Sequence, residues 1–233
     1  MTNEVSMKSL SDVSLIIATL NEEESIGYVL EELKDYGLKE IIIVDGNSED
    51  KTTEIAKNFD VTVLDQKSKG YGGAVKEGFN YAKGKYITFM DGDGSYNPIS
   101  IIEMRELINN YDGVFCSRYK NKTKSIDDTF VRAMGNKFFT YVVVTIFKLN
   151  ISDSLFFYPM IKKDHYKKLE LTYDDFTICV ELPIRYHQAG FNYYDLLSPE
   201  RERFAGKSKV NALKDGFKML LGIIKIWIIK PSK

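Results

Sequence analysis

Apolar runs alternate with amphipathic segments along the first half of the chain. A helix is expected over Asn21 to Tyr36, and segments with helical spacing separate the later runs as well. Apolar strands that alternate with helices are typical of a mainly parallel sheet with helices on both faces, so we predict an α/β fold. The predicted buried strands are Val13 to Thr19, Glu40 to Val44, Val61 to Leu64, Tyr86 to Met90 and Gly113 to Ser117.

The second half of the chain departs from this regular alternation. No stretch has the composition of a linker, so we predict one domain over residues 13–217, after a flexible N-terminus at 1–12. Pro183 is expected to kink or break its helix. The predicted elements are a polar loop at 121–128, a helix at 130–149, a strand within 153–161, a helix at 175–188, a strand at 191–197, a basic loop at 201–209 and an amphipathic helix at 211–229.

Two carboxylates follow the fourth predicted strand. Asp91 and Asp93 are separated by Gly92, which permits a sharp turn, and residues two apart at a strand end point to the same side. Carboxylates that lie this close repel each other, which favours a cation between them. A hard divalent cation that also holds phosphate suits such oxygen ligands. An ordinary acidic turn after a strand explains this motif, taken alone, equally well.

Composition and charge exclude several classes of protein. The chain carries 32 Lys and Arg residues against 33 Asp and Glu residues, so no basic field argues for nucleic acid binding. The cysteines, Cys116 and Cys179, suit a reducing compartment. The N-terminus up to Asp12 is polar and lacks an apolar signal core. We therefore expect a cytoplasmic protein that does not bind nucleic acid.

Six short motifs follow one another along the chain. They are Ala18 to Glu22, Val44 to Ser48 with Asp50 and Thr52, Lys69 to Ala74, Asp91 to Asp93, Ser117 to Tyr119, and Arg203 to Lys209. Together they resemble family 2 glycosyltransferases, and most of all the dolichyl- or polyprenyl-phosphate hexosyltransferases. The resemblance implies a GT-A fold, a nucleotide-sugar donor and a divalent metal, Mg²⁺ or Mn²⁺. The run from Asp91 to Pro98 is similar to the UDP-glucose and UDP-N-acetylglucosamine branches, which favours those donors over GDP-mannose.

The resemblance also implies roles for individual residues. Asp45 is expected to contact the base or ribose, and Asp93 to be the more direct metal ligand, with Asp91 nearer the ribose. Arg203 and Lys209 are expected to hold the diphosphate. The predicted donor-binding set is Thr19, Asn21, Glu22, Asp45, Lys69, Asp91, Gly92, Asp93, Arg203 and Lys209, in which Asp91 and Asp93 are the metal ligands.

A lipid phosphate acceptor would simplify the chemistry. Its attacking oxygen is already anionic, so the enzyme would position two charged partners without a strong base, and direct displacement would invert the anomeric centre. Arg118 and Arg132 are candidates for holding the phosphate, because a guanidinium fork matches its oxygens. A polysaccharide or soluble acceptor remains an alternative. It would require a carboxylate base, for which Asp153 and Glu181 are the candidates.

Two other classes of function are alternatives. A sugar nucleotidyltransferase also uses a parallel sheet and a metal, but it would want a basic, glycine-rich loop after the first strand. This chain has the acidic run Leu20 to Glu24 there. A non-catalytic module that binds nucleotide sugars is the third alternative, and metal-dependent hydrolysis of the donor would argue against it.

The final predicted helix combines apolar residues with lysines. Such a face, with a tryptophan near its end, is typical of a helix in the lipid headgroup region, although a helix packed on the sheet is the plainer interpretation. Because a polyprenyl tail stays in the bilayer, we expect a peripheral protein on the cytoplasmic membrane face, held by this helix and by the aromatic helix from Phe130. The residues concerned are Leu213, Phe217, Leu220, Leu221, Ile224, Trp227 and Ile228, with Lys214, Lys218, Lys225 and Lys230.

Overall fold

The computed structural model describes residues 10–120, 130–205 and 212–229. Within these ranges one seven-stranded sheet has the strand order β3-β2-β1-β4-β6-β5-β7. The strands are β1 (Val13–Thr19), β2 (Glu40–Asp45), β3 (Thr62–Asp65), β4 (Tyr86–Asp91), β5 (Gly113–Ser117), β6 (Pro159–Lys162) and β7 (Tyr193–Leu197). The five strands predicted in the first half are therefore all present.

Helices cover both faces of the sheet, as the sequence predicted. The helices are α1 (Ile26–Leu33), α2 (Thr52–Ala56), α3 (Gly70–Tyr81), α4 (Ile99–Leu107), α5 (Phe130–Phe147), α6 (Lys163–Tyr166), α7 (Ile178–Gln188) and α8 (Ala212–Ile228). One apolar cluster joins the sheet to α1, α2 and α4, and a second joins it to α3, α5, α7 and α8. Side chains along β1 point alternately to the two faces of the sheet, so Ile16 belongs to one cluster and Ile17 to the other.

The sheet is parallel except at β6. This strand runs antiparallel to both of its neighbours, β4 and β5, while β5 and β7 pair in parallel. Hydrophobicity alone did not reveal this reversal, because a strand that is buried on both faces has the same apolar pattern in either direction. The strand β6 (Pro159–Lys162) begins late in the predicted region 153–161 and ends one residue beyond it, and proline as first residue explains the late start.

Two helices differ from their predicted form. The first was expected from Asn21 but begins at Ile26, because residues 21–23 hydrogen-bond instead to the loop after β2. Pro183 does not break α7, which continues to Gln188. Every residue from Ile178 to Ile184 is buried, so packing outweighs the one helical hydrogen bond that proline removes. The predicted loop at 121–128 lies outside the described residues.

Candidate active site

The carboxyl ends of β1, β2 and β4 meet at one edge of the sheet. Thr19 of β1 pairs with Asp45 of β2, and Ala18 pairs with Asp91 of β4. Gly92 follows so closely on β1 that a Cβ atom there would lie 3.2 Å from Cγ2 of Thr19. The parallel register therefore brings together these polar residues, which are far apart in sequence.

Asp91 and Asp93 form a partly enclosed acidic pair at this edge. Asp93 is 3% exposed, and its Oδ1 accepts hydrogen bonds from the backbone N–H and the hydroxyl of Ser95 at 2.9 and 2.7 Å. Oδ1 of Asp91 accepts a hydrogen bond from the Tyr71 hydroxyl at 3.0 Å. Burial, and after it the charge of Asp93, raises the pKa of Asp91 to about 7. Ionising Asp91 is therefore unfavourable even with the Arg203 guanidinium nearby.

A divalent cation fits this pair. Its charge would relieve the repulsion that contributes to the raised pKa of Asp91. In the described ranges, no group of three or more Asp, Glu, His or Cys side chains is placed to hold a metal ion. The protein would thus supply two carboxylates, and phosphate oxygens and water would complete the coordination. Mg²⁺ is commonly bound with nucleotides in this way.

The segment 201–205 lies against the acidic pair. Nη1 of Arg203 is 2.6 Å from Oδ2 of Asp93, and the backbone N–H of Phe204 donates to the Asp93 carbonyl at 2.9 Å. The Phe204 ring stacks on Tyr28 with ring centroids 4.4 Å apart. A guanidinium thus contacts one of the two carboxylates, next to the place where a diphosphate would meet the cation. This position suits the predicted role of Arg203.

The loops after β1 and β2 form the neighbouring wall. Asp45 is 3% exposed and accepts hydrogen bonds from the hydroxyls of Thr19 and Ser48 at 2.9 and 2.6 Å. Asn21, with φ at 52°, accepts a backbone N–H of the β2 loop at 2.8 Å. Glu22 and its neighbours line a cavity of about 160 Å³ beside this wall. Its carboxylates would repel phosphate, so this side suits a base or ribose.

Arg118 and Asp153 form a buried ion pair beyond β5. Nε and Nη2 of Arg118 donate to the two oxygens of Asp153 at 2.7 and 3.2 Å, and Glu200 lies 3.6 Å from Nη1. The guanidinium also lies over the rings of Tyr119 and Phe156. Arg118, which was predicted to bind the acceptor phosphate, is therefore paired with Asp153, one of the two predicted bases.

Glu181 is fully buried in α7, with 0% exposure. Both of its oxygens accept the backbone N–H of Thr172, at 2.9 and 3.0 Å, and Oε2 also accepts that of Tyr173 at 3.0 Å. A carboxylate whose oxygens are occupied in this way holds a loop in place. The role of Glu181 as a general base remains a prediction, and its hydrogen bonds indicate that it holds residues 172 and 173 in place.

Three further predicted site residues are Lys69, Arg132 and Lys209. Lys69 is exposed and occupies the N-cap position of α3 without a side-chain capping hydrogen bond. Arg132 lies in the first turns of α5, and its side chain is outside the described residues. Lys209 also lies outside them. Their roles remain predictions.

Two contacts of the site were not anticipated from the sequence. Tyr71 lies within the motif from Lys69 to Ala74, but the sequence analysis assigned a role only to Lys69 of that motif. Arg201 donates to both oxygens of Glu32 at 2.7 and 3.0 Å, which anchors the segment that carries Arg203. The basic character of residues 201–209 and the motif from Arg203 to Lys209 signalled this segment in advance, but not the pairing of Arg201 with Glu32.

The helix α8 has two apolar faces. Met219, Ile223 and Ile226 are buried, and the helix contacts α5 and α7. The other face is exposed and holds apolar residues at helical spacing, with lysines along one edge. Its apolar residues are Phe217, Leu221, Ile224, Trp227 and Ile228, and the lysines are Lys214, Lys218 and Lys225. Across the described ranges, no helix is both long enough and apolar enough to cross a membrane.

The fold has close relatives among solved structures. Glucosyl-3-phosphoglycerate synthase from Mycobacterium tuberculosis, in complex with Mn²⁺, uridine diphosphate and phosphoglyceric acid, superposes with a TM-score of 0.73 at 14% identity. The superposition covers 95% of this chain and 80% of that one. This likeness confirms the predicted GT-A fold.

Comparison with curated protein sequences shows related proteins at higher sequence identity. The chain is 27% identical over 221 residues to the "Dolichyl-phosphate hexose transferase" of Haloferax volcanii, covering 94% of this chain and 95% of that protein. It is 27% identical over 180 residues to "Glycosyltransferase AglJ" of the same organism, covering 76% of this chain and 59% of AglJ. Residues 14–175 match the family described as "Glycosyl transferase family 2". The predicted likeness to dolichyl-phosphate hexosyltransferases is confirmed, and the chain belongs to glycosyl transferase family 2.

Proposed function

We propose that this glycosyltransferase moves a hexose or N-acetylhexosamine from a UDP-sugar to a dolichyl or polyprenyl phosphate at the cytoplasmic face of a membrane, with inversion. The observation that carries the proposal is the likeness to the dolichyl-phosphate hexose transferase, which extends over nearly the whole of both chains. The donor would be UDP-glucose or UDP-N-acetylglucosamine. The catalytic unit would comprise residues 13–217, with α8 at its end.

The acidic edge supports donor binding. Asp91 and Asp93 would hold Mg²⁺ or Mn²⁺, and the cation, when bound, would neutralise charge on the leaving diphosphate. Arg203, already 2.6 Å from Asp93, would turn its guanidinium to the same diphosphate. Asp45, Asn21 and the adjoining cavity would take the nucleoside. Crystal structures of the mycobacterial synthase hold uridine diphosphate with Mn²⁺ or Mg²⁺, which agrees with this choice of ligands.

The environment of the two candidate bases favours a phosphate acceptor. Asp153 is engaged by Arg118, and Glu181 by the backbone of residues 172 and 173. A general base needs an oxygen within hydrogen-bond reach of the acceptor hydroxyl, and these carboxylates point their oxygens at protein donors instead. An acceptor that is already anionic needs no such base. The same site with a hydroxyl acceptor would require at least one of these networks to rearrange.

The exposed face of α8 supports a membrane location. Phe217, Leu221, Ile224 and Ile228 form one apolar stripe, and lysines follow its edge. Helices with this arrangement lie in the headgroup region, where lysines meet anionic lipid. The helix α5 packs beside α8 and exposes Met134, Phe138 and Tyr141 as well. The occupant we assign to this surface is therefore a bilayer that contains anionic lipid and the acceptor.

The proposal is tested with the variant Asp93→Asn and a donor-consumption assay that contains a short polyprenyl phosphate and Mn²⁺. Turnover should fall at least a hundredfold, because the direct metal ligand loses its charge. Asp60→Asn, an exposed carboxylate that precedes β3 at the opposite edge of the sheet, is the matched control and should retain full activity. Full turnover of Asp93→Asn at saturating Mn²⁺ would reject the assignment of the acidic pair.

A further inference from the structure

Tyr71 connects the first turn of α3 to the acidic pair. Its hydroxyl donates to Oδ1 of Asp91 at 3.0 Å. The ring stacks on Phe176, with centroids 4.7 Å apart, and meets Phe89 and Phe157 edge-on at 5.4 and 6.0 Å. Burial, with the Asp91 charge as a second cause, raises the pKa of the Tyr71 phenol well above its usual range. The phenol therefore keeps its proton and remains a hydrogen-bond donor.

The start of α3 is held against the segment 172–175. A Cβ atom at Gly72 would lie 2.6 Å from the carbonyl oxygen of Tyr173, so this close approach of two backbones requires glycine. The backbone N–H of Gly73 donates to the Asp174 carbonyl at 3.2 Å, and Lys76 pairs with the Asp174 carboxylate at 2.6 Å. The position of Tyr71 thus depends on the position of this segment.

Glu181 in turn fixes the segment 172–175. Its oxygens accept the backbone N–H groups of Thr172 and Tyr173 and the Thr172 hydroxyl, the last at 2.8 Å. A buried carboxylate that accepts four hydrogen bonds is a rigid anchor, because moving the segment would remove all four and leave only Arg185, whose Nε lies 4.0 Å from Oε1. A continuous set of contacts therefore runs from Glu181 through the segment and Tyr71 to Asp91.

We propose that Tyr71 is a positioning residue that orients the Asp91 carboxylate for the metal-bound donor, and that Glu181 is a positioning residue that acts through the segment 172–175 and Tyr71. This inference rests on the proposed function in one respect, which is that Asp91 contacts the cation and the donor. Holding Oδ1 of Asp91 restricts rotation of a carboxylate that is repelled by Asp93. Glu181 thereby contributes to donor binding without accepting a proton.

The first experiment measures Mn²⁺ binding, alone and with UDP, by calorimetry and by the electron paramagnetic resonance of free Mn²⁺. Tyr71→Phe removes only the hydroxyl and should weaken Mn²⁺ affinity about tenfold, the effect of one hydrogen bond to a charged group. Tyr81→Phe, on the exposed face of the same helix, should bind as the parent does. Equal affinity of parent and Tyr71→Phe would overturn the inference. Failure of the parent to bind Mn²⁺ would instead reject the metal site itself.

The second experiment tests the role of Glu181. Glu181→Gln should weaken Mn²⁺ binding in the parent but add little in the Tyr71→Phe background, because both act on the same carboxylate. Thr172→Val, which removes one donor to Glu181, should show a smaller change of the same kind and serves if Glu181→Gln does not fold. Loss of turnover with unchanged Mn²⁺ affinity in Glu181→Gln would identify a base and contradict the positioning role.

Discussion

Replacing Asp91 by asparagine should stabilise the metal-free protein at alkaline pH. The pKa of Asp91 is raised from 3.8 to about 7, so in the folded state this group keeps a proton that the unfolded state has already lost. Its contribution to the free energy of unfolding therefore falls as pH rises from about 4 to about 7. Each pKa unit corresponds to about 1.4 kcal/mol, so the ionised group costs up to about 4 kcal/mol above pH 7.

Urea unfolding of chelator-treated protein at pH 5 and pH 8 measures this effect. The stability advantage of Asp91→Asn over the parent should grow by about 3 kcal/mol between these values, because the unfolded carboxyl is already ionised at pH 5. Saturating Mn²⁺ should shrink or reverse the advantage at pH 8, since only the parent has the full ligand set. Asp60→Asn, at an exposed carboxylate, is the control and should show no such trend. An advantage that does not change with pH would refute the reasoning.

Three other changes follow from the same structure. Arg118→Ala should lower the free energy of unfolding by about 3 kcal/mol in urea titrations, because it leaves Asp153 buried without its partner; a change below 1 kcal/mol would contradict the buried pair. Gly72→Ala should lower the free energy of unfolding by about 2 kcal/mol, because its Cβ atom would meet backbone atoms. Gly135→Ala, which has no atom within 4 Å of the added Cβ, should be neutral or stabilising. Equal effects of the two changes would be inconsistent with the close approach at Gly72. Replacing the exposed residues Leu221 and Ile224 by glutamine should abolish flotation with anionic liposomes without lowering the melting temperature, and undiminished flotation would exclude α8 as the membrane contact.

The acidic edge of the sheet could be predicted because it depends on local rules. Buried parallel strands end at one edge, so Asp45 and Asp91 were expected at the same edge of the sheet once the strands were identified. The strand Val13–Thr19 was predicted with its observed bounds, and its register with β4 places Ala18 beside Asp91. Apolar runs bounded by turn residues carry this information within a few residues of sequence.

Contacts made by loops and by long side chains could not be predicted in the same way. Arg201 and Glu32 are 169 residues apart, and their pairing depends on how the segment 201–205 returns to the sheet. The expectation that Arg118 is available to a phosphate did not take account of Asp153, which is 35 residues away. Glu181 was recognised as a site candidate from its sequence position, but its hydrogen bonds to residues 172 and 173 are visible only in the folded chain.

The identity of the acceptor is tested most directly by analysing the product. The protein is incubated with Mn²⁺, a short polyprenyl phosphate and, in turn, UDP-glucose, UDP-N-acetylglucosamine and GDP-mannose, and the lipid fraction is examined by mass spectrometry and NMR. We expect a β-linked sugar phosphate from a UDP-sugar, formed only when metal is present, and no product from the corresponding unphosphorylated polyprenol. Transfer to the free alcohol or to a soluble acceptor, with the lipid phosphate unchanged, would contradict the account.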